Sequence, residues 1–185
     1  MKPFVCLTLG SILLLASCLK ETDTTFLITP TNIGKLDKKS LVRDLEIIFD
    51  QDSIVKDTVT LRFGNGAKKI KIYEKGGNHL LTLTPSADSI PTIENIHIHD
   101  PRFHTEKGIG PNSTFKDIKE AYSIRKIQSS LNNIVIFVKN SDIYFTIDKK
   151  ELPSSLRYAS SVNIEAVQVP DAAKIKYMMI GWEAP

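Results

Sequence analysis

The sequence is poor in cysteine: 185 residues carry only two. That excludes a disulfide-dense scaffold. A dominant charge sign is also lacking, with Lys+Arg at 24 against Asp+Glu at 21 and a formal net charge of +3. So small a bias gives no footprint for tracking a phosphate backbone, and no nucleic-acid partner is expected. Beyond the N-terminus, no apolar run is long enough to span a bilayer as a helix. The chain also has no G-x-S-x-G elbow, no H-E-x-x-H, no P-loop and no G-x-G-x-x-G. What is present is ordinary globular composition, 42% hydrophobic and 24% charged. Collagen-like, rod-like and wholly disordered chains are excluded.

The N-terminus reads as an address. Lys2 precedes an uncharged apolar stretch from Phe4 to Ala16. That is the length of a secretory signal and too short for a membrane span. Leu15-Ala16-Ser17-Cys18 follows at once and resembles the lipobox of bacterial lipoproteins. The resemblance implies that residues 1–17 are removed as a signal peptide and that Cys18 is acylated on sulfur. Two or more acyl chains hold a protein stably on a membrane, at about 0.8 kcal/mol per buried CH2. Residues 18–25 then form a polar tether of at most about 28 Å. Cys6 leaves with the signal and Cys18 is consumed by lipid. The folded part, residues 26–185, therefore has no thiol for catalysis, zinc or disulfides. No acidic residue directly follows Cys18, so outer-membrane placement in the cell envelope is expected.

Internal similarity organises the rest. Ile93-Glu94-Asn95-Ile96-His97-Ile98-His99-Asp100 matches Ile164-Glu165-Ala166-Val167-Gln168-Val169-Pro170-Asp171, about 71 residues on. Ser40-Leu41-Val42-Arg43-Asp44-Leu45 matches Ser113-Thr114-Phe115-Lys116-Asp117-Ile118, about 73 residues on, and Phe49 matches Tyr122. Between these landmarks each half holds a hairpin signal. The first is Ile70–Tyr73, Lys75-Gly76-Gly77-Asn78, Leu80–Leu83, and the second Ile134–Val138, Lys139-Asn140-Ser141-Asp142, Ile143–Ile147. The halves run over about 26–100 and 101–185. Ser40 and Ser113 are the expected helix N-caps, with Asp44 and Asp117 near the positive helix ends. Val59–Phe63, turning at Gly64-Asn65-Gly66, and Lys174–Trp182 are expected as further strands.

These elements predict an α+β fold: about eight mostly antiparallel strands with two short helices on one face, built from two similar helix-plus-strands units. A tandem unit of this kind resembles β-lactamase inhibitor proteins in architecture alone. The core also resembles a family of small, uncharacterised bacterial envelope lipoproteins. That likeness runs through Ile28-Thr29-Pro30, Ile33-Gly34, Ile96-His97-Ile98-His99-Asp100, Gly108-Ile109-Gly110 and Trp182. It implies location and fold, and supplies no catalytic residues.

The candidate chemistry centres on histidine. His97 and His99 lie two apart on a predicted strand and share a face. With His104 or Asp100 they form the candidate metal set. The competing reading is a solvated strand face, because Ile96 and Ile98 would point inward. Gly64-Asn65-Gly66 and Gly108-Ile109-Gly110 are glycine pairs of the kind found in phosphate cradles, but turn duty is favoured. Lys38-Lys39, Lys68-Lys69-Lys71 and Lys149-Lys150 suggest either a solvated face or a patch for anionic headgroups. Tyr144, Phe145, Tyr158, Tyr177, Met178, Met179 and Trp182 are expected in the core, with a subset near Met178 and Trp182 as a possible partner surface.

The sequence thus favours a non-enzymatic, membrane-anchored lipoprotein that binds another envelope protein. No cofactor is implied. The alternatives are a small-ligand or metal-binding lipoprotein using His97, His99 and His104, and an enzyme built on loops around Gly108–Asn112 or Leu152–Tyr158. Mass measurement of the protein from its membrane should show a form that begins at an acylated Cys18. Cys18→Ala should release the protein or leave the signal uncleaved, and an unmodified soluble wild-type chain contradicts the address.

Overall fold

The computed structural model describes residues 23–57, 68–157 and 163–182. Cys18, most of the tether, the Val59–Phe63 and Gly64-Asn65-Gly66 region and Tyr158 lie outside the described residues. The fold is α+β, with a large antiparallel sheet and a small mixed one. The small sheet contains β1 (Leu27–Ile28), β2 (Asn32–Ile33), β3 (Leu36–Asp37) and β8 (His104–Thr105). The large sheet contains β4 (Ser53–Lys56), β5 (Ile70–Tyr73), β6 (His79–Pro85), β7 (Ile93–Ile98), β9 (Ile124–Ser129), β10 (Asn133–Val138), β11 (Ile143–Asp148) and β12 (Ile175–Gly181). Its order is β4-β5-β6-β7-β12-β11-β10-β9.

That order places one four-strand meander beside another. Each half runs outward edge to centre, and the last strands of the two halves pair in the middle. Ile98 lies opposite Met178 at that seam. Short helices precede each meander: a 3-10 turn at Val42–Asp44 leading into α1 (Leu45–Ile48), and α2 (Phe115–Ala121). A third helix, α3 (Ser154–Arg157), lies between β11 and β12.

The register explains the inside and the outside. One row crosses all eight strands as Ile54, Ile72, Leu81, Ile98, Met178, Phe145, Ile136 and Ile127. Every member is apolar, and its six central residues are at most 2% exposed. Leu45, Phe115 and Ile118 from the helices, and Ile28, Ile33 and Leu36 from the small sheet, join the same buried cluster. The helices and the small sheet therefore lie on this inner side. One residue along, the period of two puts the next row outward. It reads Val55, Lys71, Thr82, His97, Met179, Tyr144, Phe137 and Lys126.

Two expectations need correction. Ser40 and Ser113 do not cap the helices. Their hydroxyls instead close turns, accepting from the N–H of Asp37 at 3.2 Å and of Gly110 at 3.1 Å. The cap of α2 is Thr114, extended at φ −104° and ψ 172°, with Asp117 reaching back to its N–H at 2.7 Å. The matching residue in the first half is Leu41, which has no side-chain acceptor. That end accordingly starts as a 3-10 turn and yields only one turn of α-helix.

The stretch from Ile164 to Val169 is not a strand either. The Gln168 side chain accepts from the Glu165 N–H at 2.9 Å, and a 3-10 turn forms at Ala166–Gln168 with Val167 92% exposed. The position matching β7 is filled by β12. The pairing seams agree on this: Leu41 bridges Thr92 just before β7, and Thr114 bridges Lys174 just before β12.

Arg102 fastens the small sheet to the large one. It bonds both Asp100 oxygens at 2.8–2.9 Å and both Glu74 oxygens at 2.8–3.0 Å, and its guanidinium sits 4.1 Å from the Phe26 ring centre. Gly34 makes the second close approach. It has φ +54°, and a side chain there would collide with the Thr25 carbonyl oxygen.

Met178 is fully buried on the inner side, and its sequence neighbour Met179 is half-buried on the outer side. Met178→Ala should cost about 2–5 kcal/mol of unfolding free energy, through lost transfer and a cavity at the seam. Met179→Ala should cost less than about 1 kcal/mol. Urea unfolding of the two variants checks this, and equal losses would contradict the inside–outside assignment.

Candidate functional site: a ladder of rings on the outer face

The outer row carries an unusual set of side chains because three histidines fall on adjacent strands of one face. His97 and His99 alternate with the buried Ile96 and Ile98, as the sequence spacing predicts. His79 joins them from β6. A register shift between Ile72 and Tyr73 brings Tyr73 opposite His79. The result is a continuous stack over β5, β6, the end of β7 and β12. Tyr73 and His79 stack at 4.6 Å and 21°, and His79 and His99 at 3.7 Å and 17°. His99 and His97 lie at 3.9 Å and 42°, and His97 meets the Tyr177 edge at 4.9 Å and 79°.

Thr82 fixes the stack from below. Its hydroxyl lies 3.0 Å from His79 Nε2 and 2.9 Å from His99 Nε2, and the residue is only 8% exposed. A hydroxyl has a single proton and two acceptor lone pairs, so it donates to one ring at most, and at least one of the two rings carries hydrogen on Nε2.

This geometry opposes charge. Burial lowers the His99 pKa to about 4, helped by His97, His79 and Lys71 nearby. Burial also lowers His97, with His79 and Lys69 adding to it. It lowers His79 too, against a backbone hydrogen bond at Leu81 and with Lys71 acting in the same direction as burial. Two unit charges at the 3.7 Å spacing of His79 and His99 repel by about 1 kcal/mol in water and about 4 kcal/mol at an effective dielectric of 20.

The same geometry does not assemble the metal set. His104 sits on β8, exposed, with Nδ1 2.9 Å from the Arg102 carbonyl, and does not join the stack. Asp100 is held by Arg102. Stacked imidazoles send their nitrogen lone pairs along parallel planes, whereas a metal needs them to converge. Among the described residues, no group of three or more His, Cys, Asp or Glu side chains is placed to hold a metal.

Next to the ladder the outer face carries a second aromatic cluster. Tyr144 crosses over Gly181, and its hydroxyl accepts from Asn95 Nδ2 at 2.6 Å, tying β11 to β7 across β12. Phe137 stacks on Tyr144 at 5.6 Å, with Lys126 Nζ 4.7 Å and the Arg125 guanidinium 5.5 Å from its ring centre. Tyr144, expected in the core, is thus on the outer face. Phe145, Met178 and Trp182 are in the core at 0–2% exposure.

The remaining candidates resolve into structure. The backbone N–H groups of Gly108, Ile109 and Gly110 donate to Thr105 O, Thr105 Oγ1 and Ser113 Oγ, which leaves no cradle for phosphate. The depression beside them, about 800 Å³, is lined by His104, Lys107, Asp117 and Glu120. Asp117 is committed to the helix cap, Lys107 to the Ala121 carbonyl and the Ser113 hydroxyl to the Gly110 N–H. The lysine runs serve different ends. Lys38 pairs with Asp142 at 2.7 Å, Lys149 is 4% exposed, and Lys69 and Lys71 border the ladder.

Fold and site together define a two-meander α+β protein with an open aromatic sheet face. The "uncharacterized protein yfeY" of Escherichia coli, a crystal structure, is similar at a TM-score of 0.53 and 14% identity, over 83% of this chain and 98% of that one. At that identity the likeness is one of fold. No family model matches the chain, and no curated protein sequence matches it.

The ladder has a pH signature. Unfolded histidine titrates near pH 6.5, and the folded values lie lower. Between those limits the unfolded chain binds more protons, so stability must fall as pH drops from about 6.5 towards 4. The depressed carboxyls of Asp100, Glu74, Asp117 and Asp148 lower stability as pH falls through the ordinary carboxylate range and below it, which is more acidic than the histidine window. The urea midpoint should therefore fall between pH 7.5 and pH 5, and fall less in His99→Asn. A midpoint unchanged over that interval contradicts a neutral stack.

Proposed function

We propose that the protein is a membrane-anchored envelope lipoprotein without enzymatic activity, held by acylated Cys18 at the outer membrane, and that its outer sheet face binds another envelope protein. The observation that carries the reading is the strip of His97, Met179, Tyr144 and Phe137, drawn from both halves, half-buried and underlain by Thr82. Its rings are fixed in place by stacking and by the Thr82 and Asn95 hydrogen bonds. Rigid Tyr, Met and His surface lowers the entropy cost of association. The lipobox sequence and short tether support placement close to a membrane.

A photo-reactive residue placed at Met179 should give one reproducible adduct on the intact envelope. The same residue at Val167, exposed on the 3-10 turn at Ala166–Gln168, should not. Equal labelling from both positions, or none from Met179, would overturn the assignment of the face.

A further inference from the structure

A second cleft lies on the inner side of the large sheet, where the small sheet meets the turn between β10 and β11. It holds about 450 Å³, within the usual size of small-molecule sites. Ile28 from β1, Ile143 from β11, Ile180 from β12 and Trp182 just beyond it line the cleft, each at most 9% exposed. Trp182 is 2% exposed, yet its indole N–H, which can only donate, has no hydrogen-bond partner among the described residues. The one side-chain polar atom among them that is sealed from solvent without a partner is Ser129 Oγ. The Trp182 N–H therefore opens onto space that its own ring lines. Trp182 continues the inward alternation of Ile180 and belongs to the same buried cluster, which directs the ring towards this cleft.

Most other polar groups of the cleft are spent on the fold. Thr29 and Thr105 accept from the backbone N–H groups of Asn32 at 2.9 Å and Ile109 at 3.1 Å, and Ser141 from that of Ile143 at 3.2 Å. Asp142 is bound by Lys38 at 2.7 Å. Lys107 donates to the Ala121 carbonyl and lies 4.5 Å from the Tyr122 ring centre. Lys139 has no carboxylate partner among the described residues. Its N–H donates to the Ser123 carbonyl at 2.9 Å, and Asn140 after it takes φ +53°, so the turn holds Lys139 at the rim. Glu106 is the one acid of the cleft outside an ion pair.

We infer that this cleft binds a small molecule with a flat apolar body and one anionic acceptor group. The body packs on the three isoleucines, and the acceptor takes the Trp182 N–H while Lys139 supplies positive charge. Accepting that bond removes the cost of an unpaired buried donor. Charge decides the sign of the ligand. Lys38 and Asp142 offset each other, which leaves Lys107 and Lys139 against Glu106. An ammonium group fails twice, because it cannot accept from an indole N–H and meets the excess of lysine. The depression on the outer side that Trp182 also borders sets Asp88, Glu94 and Asp142 against Arg125, and so disfavours an anion. This site stands apart from the reading of the outer face.

Trp182 is the only tryptophan of the chain, so its fluorescence and its single indole N–H NMR signal report on this cleft alone. The test titrates the full-length chain, in neutral detergent near neutral pH, with hydrocinnamate, its amide, and phenylpropylamine. Hydrocinnamate should bind saturably, move the indole N–H signal downfield and shift the methyl signals of Ile28, Ile143 and Ile180. It should bind at least about five-fold more tightly than the amide, and the amine should not bind. Lys139→Gln should remove the preference for acid over amide, whereas Arg125→Gln, in the outer depression, should leave it unchanged. Trp182→Phe keeps an aromatic ring without the donor and should weaken hydrocinnamate at least about five-fold, read on the isoleucine methyls. No binding of any probe, or equal binding of acid and amine, overturns the inference. So does a loss that follows Arg125→Gln instead of Lys139→Gln, which places the ligand in the outer depression.

Discussion

Everything in this molecule depends on the antiparallel seam between β7 and β12. Neither meander is a finished sheet alone, since each would leave one edge of its last strand open. Ile98 opposite Met178 joins them, and Ile96 opposite Ile180 continues the join. Once that register is set, the inner residues of both halves fall into one unbroken apolar row. A slip of one residue would turn every side chain to the wrong face. Hydrophobic burial therefore enforces the seam, and the seam aligns the outer row as a by-product. The outer strip is thus built from two parts of the chain that are distant in sequence.

The two halves differ most where the outer chemistry sits. Thr82 lies opposite His97 in the first half, and Thr146 lies opposite Tyr177 in the second. Both threonines are nearly buried beneath larger side chains. Only the first carries imidazoles on its hydroxyl. A common framework thus supports an ionisable stack on one side of the seam and a phenol beside a lysine–aspartate pair on the other. The stack remains neutral because rings at van der Waals contact exclude the water that would solvate a proton.

Much of the fold was legible in the sequence. The alternation in Ile93–Ile98, the hairpins around Lys75-Gly76-Gly77-Asn78 and Lys139-Asn140-Ser141-Asp142, and the closing strand before Trp182 were all readable from period and turn chemistry. Two errors came from reading short-range likeness as structure. Ser113 precedes a better cap, and only geometry shows that Thr114 takes the extended conformation. Ile164–Val169 copies the pattern of a strand, but Gln168 folds back on Glu165 and closes a turn first. The site was half legible. His97 and His99 were placed on the correct face, yet His79 and Tyr73 join them only through a bulged register between strands. Cross-strand register is a long-range property, and local spacing contains no record of it.

The attachment of the N-terminal strand has a mechanical consequence. Phe26 enters the fold through Arg102 and through β1, whose parallel partner is β8 at only two residue positions. Tension applied to the N-terminal end would load that short ladder and the Arg102 clamp in shear. The long ladders of the large sheet come later in the path. The small sheet would then yield before the ring ladder is disturbed, so a pull on the N-terminal end leaves the outer face in shape.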